Sequence, residues 1–294
     1  MARATGCDVL SPTFPAVQDR GVGLISPRRI PYPTEIARKS LSTYELIVLA
    51  GGDEPVAFFG YPEGTSRLLP ANCKVLALCS AKVDPTEALT ALADALGASQ
   101  QTAAPFMERC TVPSGPLTAT KMCETLAAVQ PENAIVMDES VTAGFSYYEL
   151  SAGAPSFTYM TLVGGSIGHG LPCAIGAAAA APRNRVICLE GDGSALYTIQ
   201  SLWTMARERQ NITTVICKNR AYAILRWEIE RSGAKPGRAS LELTGLDRPD
   251  IDFVKLANGF GVDARSVNTV EDLDEALRHS FQTAGPMLIE ATLQ

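Results

Sequence analysis

The stretch CLEGDGSALYTIQSLW, Cys188 to Trp203, sets a carboxylate, Asp192, between Gly191 and Gly193, with apolar sequence before it and helix-like sequence after it. Where a strand passes through glycines into a helix, backbone N–H groups and the helix dipole face outward and favour an anion such as phosphate. Glycine also lets that anion approach the main chain closely. A carboxylate in the same turn repels it at short range. A divalent cation between the two removes the conflict. Mg2+ takes near-octahedral oxygen ligands, one or two of them carboxylates and the rest phosphate or neutral oxygens. The chain must therefore bring a second oxygen donor to Asp192. Asn219 stands 27 residues further on, at the end of the next apolar run, ITTVICK.

These residues need elements that carry them to one place. RVICLEGDG reads as a strand, SALYTIQSLWTMARERQ as a helix and ITTVICKN as a strand, and 27 residues is about one helix plus one strand with their turns. With a right-handed crossover, the loops after two neighbouring parallel strands open at the same sheet edge. The alternation continues on both sides: LTATKMCETLAAV, IGHGLPCAIGAAAAA, DIDFVKLANGFG and TVEDLDEALRHSFQT as helices, NAIVMDES, DARSV and PMLIEATL as strands. Earlier in the chain, YELIVLAGG and CKVLALCS read as buried strands between the helices PTEIARKSL and DPTEALTALADALGA. Periodicity lapses in SQQTAAPFMERCTVPSGP. The expected fold class is α/β, with two parallel-sheet, three-layer domains: a Rossmann-like domain over 1–98, a linker over 99–116 and a second domain over 117–294.

The GDG turn followed by the Asn of CKNRAY resembles the signature of thiamine-diphosphate-dependent enzymes. Carried over by position, the resemblance implies thiamine diphosphate and Mg2+ as cofactors. The metal would lie on Asp192, Asn219 and the carbonyl of Ala221, and the diphosphate beside Gly191, Gly193 and Ser194. Lys218 stands where the usual signature has the first of two asparagines. GGSIGHGLPCAIGAA resembles the family segment in which a bulky residue, here Ile167, props the cofactor in a bent conformation, with the carbonyl of Gly165 near its aminopyrimidine and Ser166 between them. MDESVTAG resembles the loop flanking the diphosphate, which adds Val141 and Thr142. YAILRW resembles the stretch that meets cofactor and substrate, with Tyr222 at the cofactor and Ile224 and Leu225 facing the substrate. RIPY, LAGGDEPVAFFGYP and ALADALGA resemble the family's central domain, so 117–294 would be the thiamine-diphosphate-binding domain and the likeness covers nearly the whole chain.

The nearest likeness is to acetolactate synthase large subunits and benzoylformate decarboxylases. It implies a 2-oxo acid substrate, with carboligation after decarboxylation in the first case and release of an aldehyde in the second. In that family a glutamate of a pyrimidine-binding domain activates the cofactor, and the expectation is that this chain lacks that domain. Glu139 and Glu190 sit at strand ends of the other domain and do not replace it, so the catalytic group is unknown. A homo-oligomer, a separate pyrimidine-domain chain, or both would be the partner. A non-catalytic cofactor-binding or assembly module is the alternative of another class. Dinucleotide binding is weak, because no GxGxxG opens a helix after a strand, and no flavin motif stands out.

Composition narrows the partners. A net charge of −6 without a local Lys/Arg cluster argues against nucleic acid. No apolar run reaches the roughly 20 residues that cross a bilayer, and the start has no signal-peptide pattern, so a cytoplasmic protein with no membrane contact is expected. Eight cysteines without a CxxC pair read as small core residues. Of the two histidines, His279 reads as surface and His169 as structural within the glycine-rich segment.

Overall fold

A computed structural model describes residues 1–60, 65–79, 83–98 and 107–294. The chain divides into two compact units, Met1–Pro15 with Pro27–Ala103, and Ala16–Ser26 with Ala104–Gln294.

In the first unit, Leu46–Leu49 pairs parallel with Lys74–Ala77, and Leu10–Ser11 pairs parallel with Arg28–Arg29. Helix Pro85–Ala95 starts where Asp84 accepts the Thr86 N–H at 2.8 Å and Pro85 fills the first turn. A small core gathers Ile30, Ala37, Leu41, Leu68, Leu69 and Cys73. The expectation of buried strands fails here. Leu46, Val48 and Leu76 are exposed, because among the described residues the sheet has two strands and helix Pro85–Ala95 buries none of its residues.

The second unit is a seven-stranded sheet. Its strands are β1 (Val17–Arg20), β2 (Ile135–Glu139), β3 (Phe157–Thr161), β4 (Val186–Gly191), β5 (Ile212–Lys218), β6 (Asp263–Val267) and β7 (Met287–Thr292), in the order β6-β7-β5-β4-β2-β3-β1. All pairs are parallel except β1 with β3. The helices that matter here are α1 (Ala119–Val129), α2 (Gly170–Ala180), α3 (Asp192–Thr198), α4 (Ser201–Arg207), α5 (Ala223–Arg231), α6 (Phe253–Gly259) and α7 (Val270–Gln282). Successive strand residues enter opposite cores. Val136, Ile187, Val215 and Ile289 pack with Leu126 of α1 and Leu273 of α7. Met137, Cys188, Ile216 and Leu288 pack with Leu171 of α2, Leu202 of α4 and Phe253 of α6. Two covered faces explain why these strands are unbroken apolar runs. Helix starts are fixed by side chains: Thr118 accepts from Lys121, Asp252 from Lys255 and Thr269 from Asp272, each cap contributing about 1 kcal/mol.

Three features depart from the sequence reading. The expected helix after the GDG turn is two helices, because at Ile199 and Gln200 the bonds shorten to Leu202 N–H with Ile199 O and Trp203 N–H with Gln200 O. Residues 16–26 leave the expected 1–98 domain: β1 adds an antiparallel edge to β3, and Arg20 is buried against Tyr148. Of the expected linker, 99–106 lie outside the described residues, while 107–116 pack onto the second unit. There Arg109 donates to Gln130 O at 3.1 Å, and a Cβ on Gly153 would sit 2.1 Å from Glu108 O. Among the described residues no helix is long and apolar enough to cross a membrane.

Candidate functional site

From β2 the chain moves to β3 on one side, then crosses back to β4 on the other. The loops after β2 and β4 therefore part at the carboxyl edge of the sheet, and such a switch point is where open α/β sheets hold ligands. Glu139 and Glu190 are register partners beneath the crevice. Ser194 Oγ spans it, donating to Glu139 O at 3.2 Å and lying 3.1 Å from Gly191 O.

Asp192 is buried at the start of α3. Its Oδ1 accepts the Gly193 N–H at 2.9 Å, and its Oδ2 accepts the Arg220 N–H at 2.6 Å. The loop after β5 is thus tied directly to the GDG turn. Asn219 Oδ1 accepts the Ala221 N–H at 2.9 Å, an Asx turn that fixes this amide oxygen in the loop. Arg220 takes a left-handed φ of 59°. Tyr222 lies against the GDG turn, since a Cβ on Gly193 would meet its ring at 2.4 Å, and one on Gly191 would meet Ser194 Oγ at 2.9 Å. Ile224 and Leu225 begin α5, with Leu225 exposed.

On the other side of the crevice, Asp138 orders the loop after β2, accepting from Ser140 N–H at 3.0 Å and from Tyr159 Oη at 2.7 Å. Val141 follows with φ 52°. A β-branched residue there is strained, and such strain collects at functional sites. Thr142 beside it is half-buried. The loop after β3 holds Gly165, Ser166 and Ile167 at the surface; Ile167 is 37% exposed and is no core residue. His169 closes this loop, with Nδ1 2.8 Å from Ser166 O and Nε2 3.3 Å from Thr161 O.

Burial raises the carboxyl pKa of Asp192 in spite of the Arg220 and Gly193 amides. It also raises Glu139, against bonds from Gly168 and Gly170, and raises Glu190 furthest, with the charge of Glu139 adding to burial. Of the two, Glu139 is the one with amide donors to hold its charge.

Oxygen donors, tightly packed glycines and the exposed Ile167 loop thus lie at one sheet edge, and the family model "Thiamine pyrophosphate enzyme, C-terminal TPP binding domain" matches residues 142–291, half of the chain. The chain belongs to the thiamine pyrophosphate enzyme family. A Mycobacterium tuberculosis protein named "Putative acetolactate synthase large subunit IlvX" is 44% identical over the whole of this chain and 57% of its own length. The benzoylformate decarboxylase of Pseudomonas aeruginosa is 36% identical over 61% of this chain and 33% of its own. The solved thiamine diphosphate-dependent 4-hydroxybenzoylformate decarboxylase of Rhodococcus jostii RHA1 superposes with a TM-score of 0.76 at 27% identity, covering all of this chain and 57% of that one. The chain spans a little over half the length of the relatives that it matches along its whole course.

Lys218, in the place of the family's first asparagine, is buried and bonds Asp250 at 3.2 Å, Glu290 at 3.3 Å and Ile251 O at 2.6 Å. Asp250 also takes the Arg220 side chain at 3.1 Å, so the Asn219 loop is strapped on both flanks. Arg226 donates to Thr244 Oγ1 at 2.9 Å, and Glu228 bonds Arg231 at 2.6 Å. The acidic strand end MDE was the available signal for Glu139, whose carboxylate reaches Gly168 and Gly170.

Proposed function

We propose that this chain is the cofactor-holding part of a thiamine-diphosphate- and Mg2+-dependent enzyme acting on 2-oxo acids, decarboxylating one and joining its remainder to a second in the acetolactate-synthase manner. The observation that carries this is the bond from Arg220 N–H to Asp192 Oδ2, which brings the Asn219–Ala221 loop onto the GDG turn. The donor set fits Mg2+: one carboxylate and neutral oxygens, with no sulfur or imidazole. Gly191 and Gly193 are required where they stand, since a side chain there would collide with Ser194 and Tyr222, and the N-terminal turn they form with α3 suits an anion.

In this reading Asp192, Asn219 Oδ1 and the Ala221 carbonyl hold the metal, while Gly191, Gly193, Ser194, Val141 and Thr142 border the diphosphate. Gly165, Ser166, Ile167 and Tyr222 flank the rings, and Ile224 and Leu225 face the substrate. Bound there, thiamine diphosphate supplies the electron sink that decarboxylation of a 2-oxo acid requires. The protein's own part is to orient, to exclude water and to neutralise phosphate charge through the metal. In this reading the group that protonates the cofactor belongs to a pyrimidine-binding domain.

Simple decarboxylation with release of an aldehyde is the second reading, supported by the likeness to the Rhodococcus 4-hydroxybenzoylformate decarboxylase along the whole chain. Calorimetry with thiamine diphosphate and Mg2+, with Asp192→Ala as control, tests the site. Binding that the variant loses supports it, no binding by either protein favours an assembly module, and NAD binding instead points to a dinucleotide site. Product analysis from pyruvate and from benzoylformate, with a pyrimidine-domain chain supplied, separates carboligation from decarboxylation. Brisk turnover by the 294-residue chain alone would remove the need for that partner.

A further inference from the structure

The loop after β3 poses a physical problem. It must hold Gly165 and Ile167 at a fixed height over the crevice, yet residues 163–167 are exposed, and Gly164, Gly165 and Gly168 have left-handed φ of 65°, 67° and 89°. Glycines give up more backbone freedom than any other residue on ordering. Something must fix the loop. His169 bonds carbonyls of the same loop and of β3, and Thr198 Oγ1 donates to Gly168 O at 2.7 Å. Among the described residues a charged anchor comes from a different strand. Glu139, the last residue of β2 and 1% exposed, accepts the Gly168 N–H on Oε1 and the Gly170 N–H on Oε2.

A carboxylate buried this deeply is costly unless hydrogen-bonded, and an apolar side chain would fill the volume more cheaply. What the carboxylate provides is two charge-assisted bonds at a fixed spacing, on the amides that bracket His169. The local sequence is built around them. A Cβ on Gly170 would lie 2.7 Å from Glu139 Oε2 and 2.3 Å from Glu190 Oε2, and one on Gly168 would lie 2.4 Å from Tyr197 Cβ. Glu139 is otherwise unused, since neither the metal donors nor the diphosphate loop needs its side chain.

We propose that Glu139 is the positioning residue of the cofactor-propping loop: by clamping the Gly168 and Gly170 amides it sets the height of Ile167 and of the Gly165 carbonyl, and so governs the grip on the rings of thiamine diphosphate but not on its diphosphate. This rests on the reading of the site given above. The clamp reaches the ring-side loop alone, while Asp192 and Asn219 lie across the crevice, so the two halves of the ligand respond differently to its loss.

The test compares wild type, Glu139→Gln and Glu139→Ala by calorimetry in Mg2+, with thiamine diphosphate and with inorganic diphosphate as separate ligands. Amide NMR of Gly168 and Gly170 and thermal unfolding accompany it. The wild type should show both amide protons shifted downfield, as expected of bonds to a carboxylate. Glu139→Ala should lose these shifts and bind thiamine diphosphate about tenfold more weakly, the scale typical of groups that orient ligand-bearing elements. Glu139→Gln, which keeps one acceptor, should fall between, and both variants should bind inorganic diphosphate as the wild type does. If Glu139→Ala fails to fold, the near-isosteric Gln variant decides. Folded variants with unchanged thiamine diphosphate affinity overturn the clamp, as does an equal loss for both ligands. A wild type that binds inorganic diphosphate and thiamine diphosphate equally well overturns the clamp and leaves the metal and diphosphate reading standing. A wild type that binds neither overturns both.

Discussion

Asp192 and Arg220 lie 28 residues apart, yet the Asp192 carboxylate accepts the Arg220 N–H at 2.6 Å. Asp192 accepts a second amide, from Gly193, and is buried, so its charge is held by two N–H dipoles in a place that pushes its carboxyl pKa up. With no cation beside it, that charge costs stability. Asp192→Asn keeps the shape and one acceptor oxygen while removing the charge. The expected outcome is a urea midpoint equal to or above that of the wild type without ligand, together with a fall of about a hundredfold or more in affinity for thiamine diphosphate with Mg2+, beyond the range of groups that only support ligands. Lower stability with unchanged affinity would reduce Asp192 to a turn former.

Two glycines on α2 should respond oppositely to alanine. At Gly170 the new Cβ would meet Glu190 Oε2 at 2.3 Å and Glu139 Oε2 at 2.7 Å, both buried and without room to retreat. At Gly176 nothing lies within 4 Å. Gly176→Ala should stabilise by about 0.5–1 kcal/mol through helix propensity. Gly170→Ala should destabilise by about 1–3 kcal/mol, as overpacking does. Denaturant titration of both variants checks the contrast; a stabilised Gly170→Ala would show the two carboxyls to be loosely held.

Where the sequence was readable, the reason was local. β4 and β5 are buried on both faces, so Ile187, Cys188, Val215 and Ile216 read as unbroken apolar runs, and Asp192 and Asn219 mark the strand ends that topology makes neighbours. β1 was not readable, because Val17, Gln18, Asp19 and Arg20 become a strand only through pairing with Tyr159 and its neighbours, about 140 residues away. β3 was missed for a related cause: Thr158 and Met160 alternate with buried Phe157 and Tyr159 over only five residues. The Glu139 clamp joins residues 29 and 31 apart through backbone amides, which leave no trace in side-chain types. In the first unit, Leu46, Val48 and Leu76 have the composition of buried residues, but two strands cannot cover one another's faces.

An acid-sensitive contact lies at the start of α7. Glu271 Oε1 accepts the Gly115 N–H at 2.9 Å, and that bond holds its carboxyl below the ordinary value of 4.5. A carboxyl with a lowered folded-state pKa binds fewer protons folded than unfolded, so its stabilisation is present above the ordinary pKa and is lost as pH falls through the lowered one. Glu271→Gln should therefore be less stable than the wild type near neutrality, with the gap closing as pH falls below the ordinary carboxyl range. Unfolding midpoints of the two proteins across that range check it, and a gap independent of pH would assign the effect to packing.

Arg20 offers the sharpest conflict of terms in the fold. Its guanidinium lies 3.4 Å from the centroid of the Tyr148 ring and donates to Tyr148 O, but it is 1% exposed, and Nε and Nη1 find no partner among the described residues. Burial lowers its pKa, the mark of a charge held at a cost. A desolvated cation–π contact is worth about 2 kcal/mol, whereas each buried unsatisfied donor costs about 1–3 kcal/mol. Two such donors outweigh one stack. The Tyr148 carbonyl would not be stranded by loss of the arginine, since Ser151 Oγ donates to it at 3.2 Å. Methionine can follow the same path between the tyrosines without a charge or a donor. Arg20→Met should thus stabilise the second unit by about 1 kcal/mol in urea titration. A loss above about 2 kcal/mol would mean that the stack and the Tyr148 bond hold β1 on the sheet more strongly than the stranded donors oppose it.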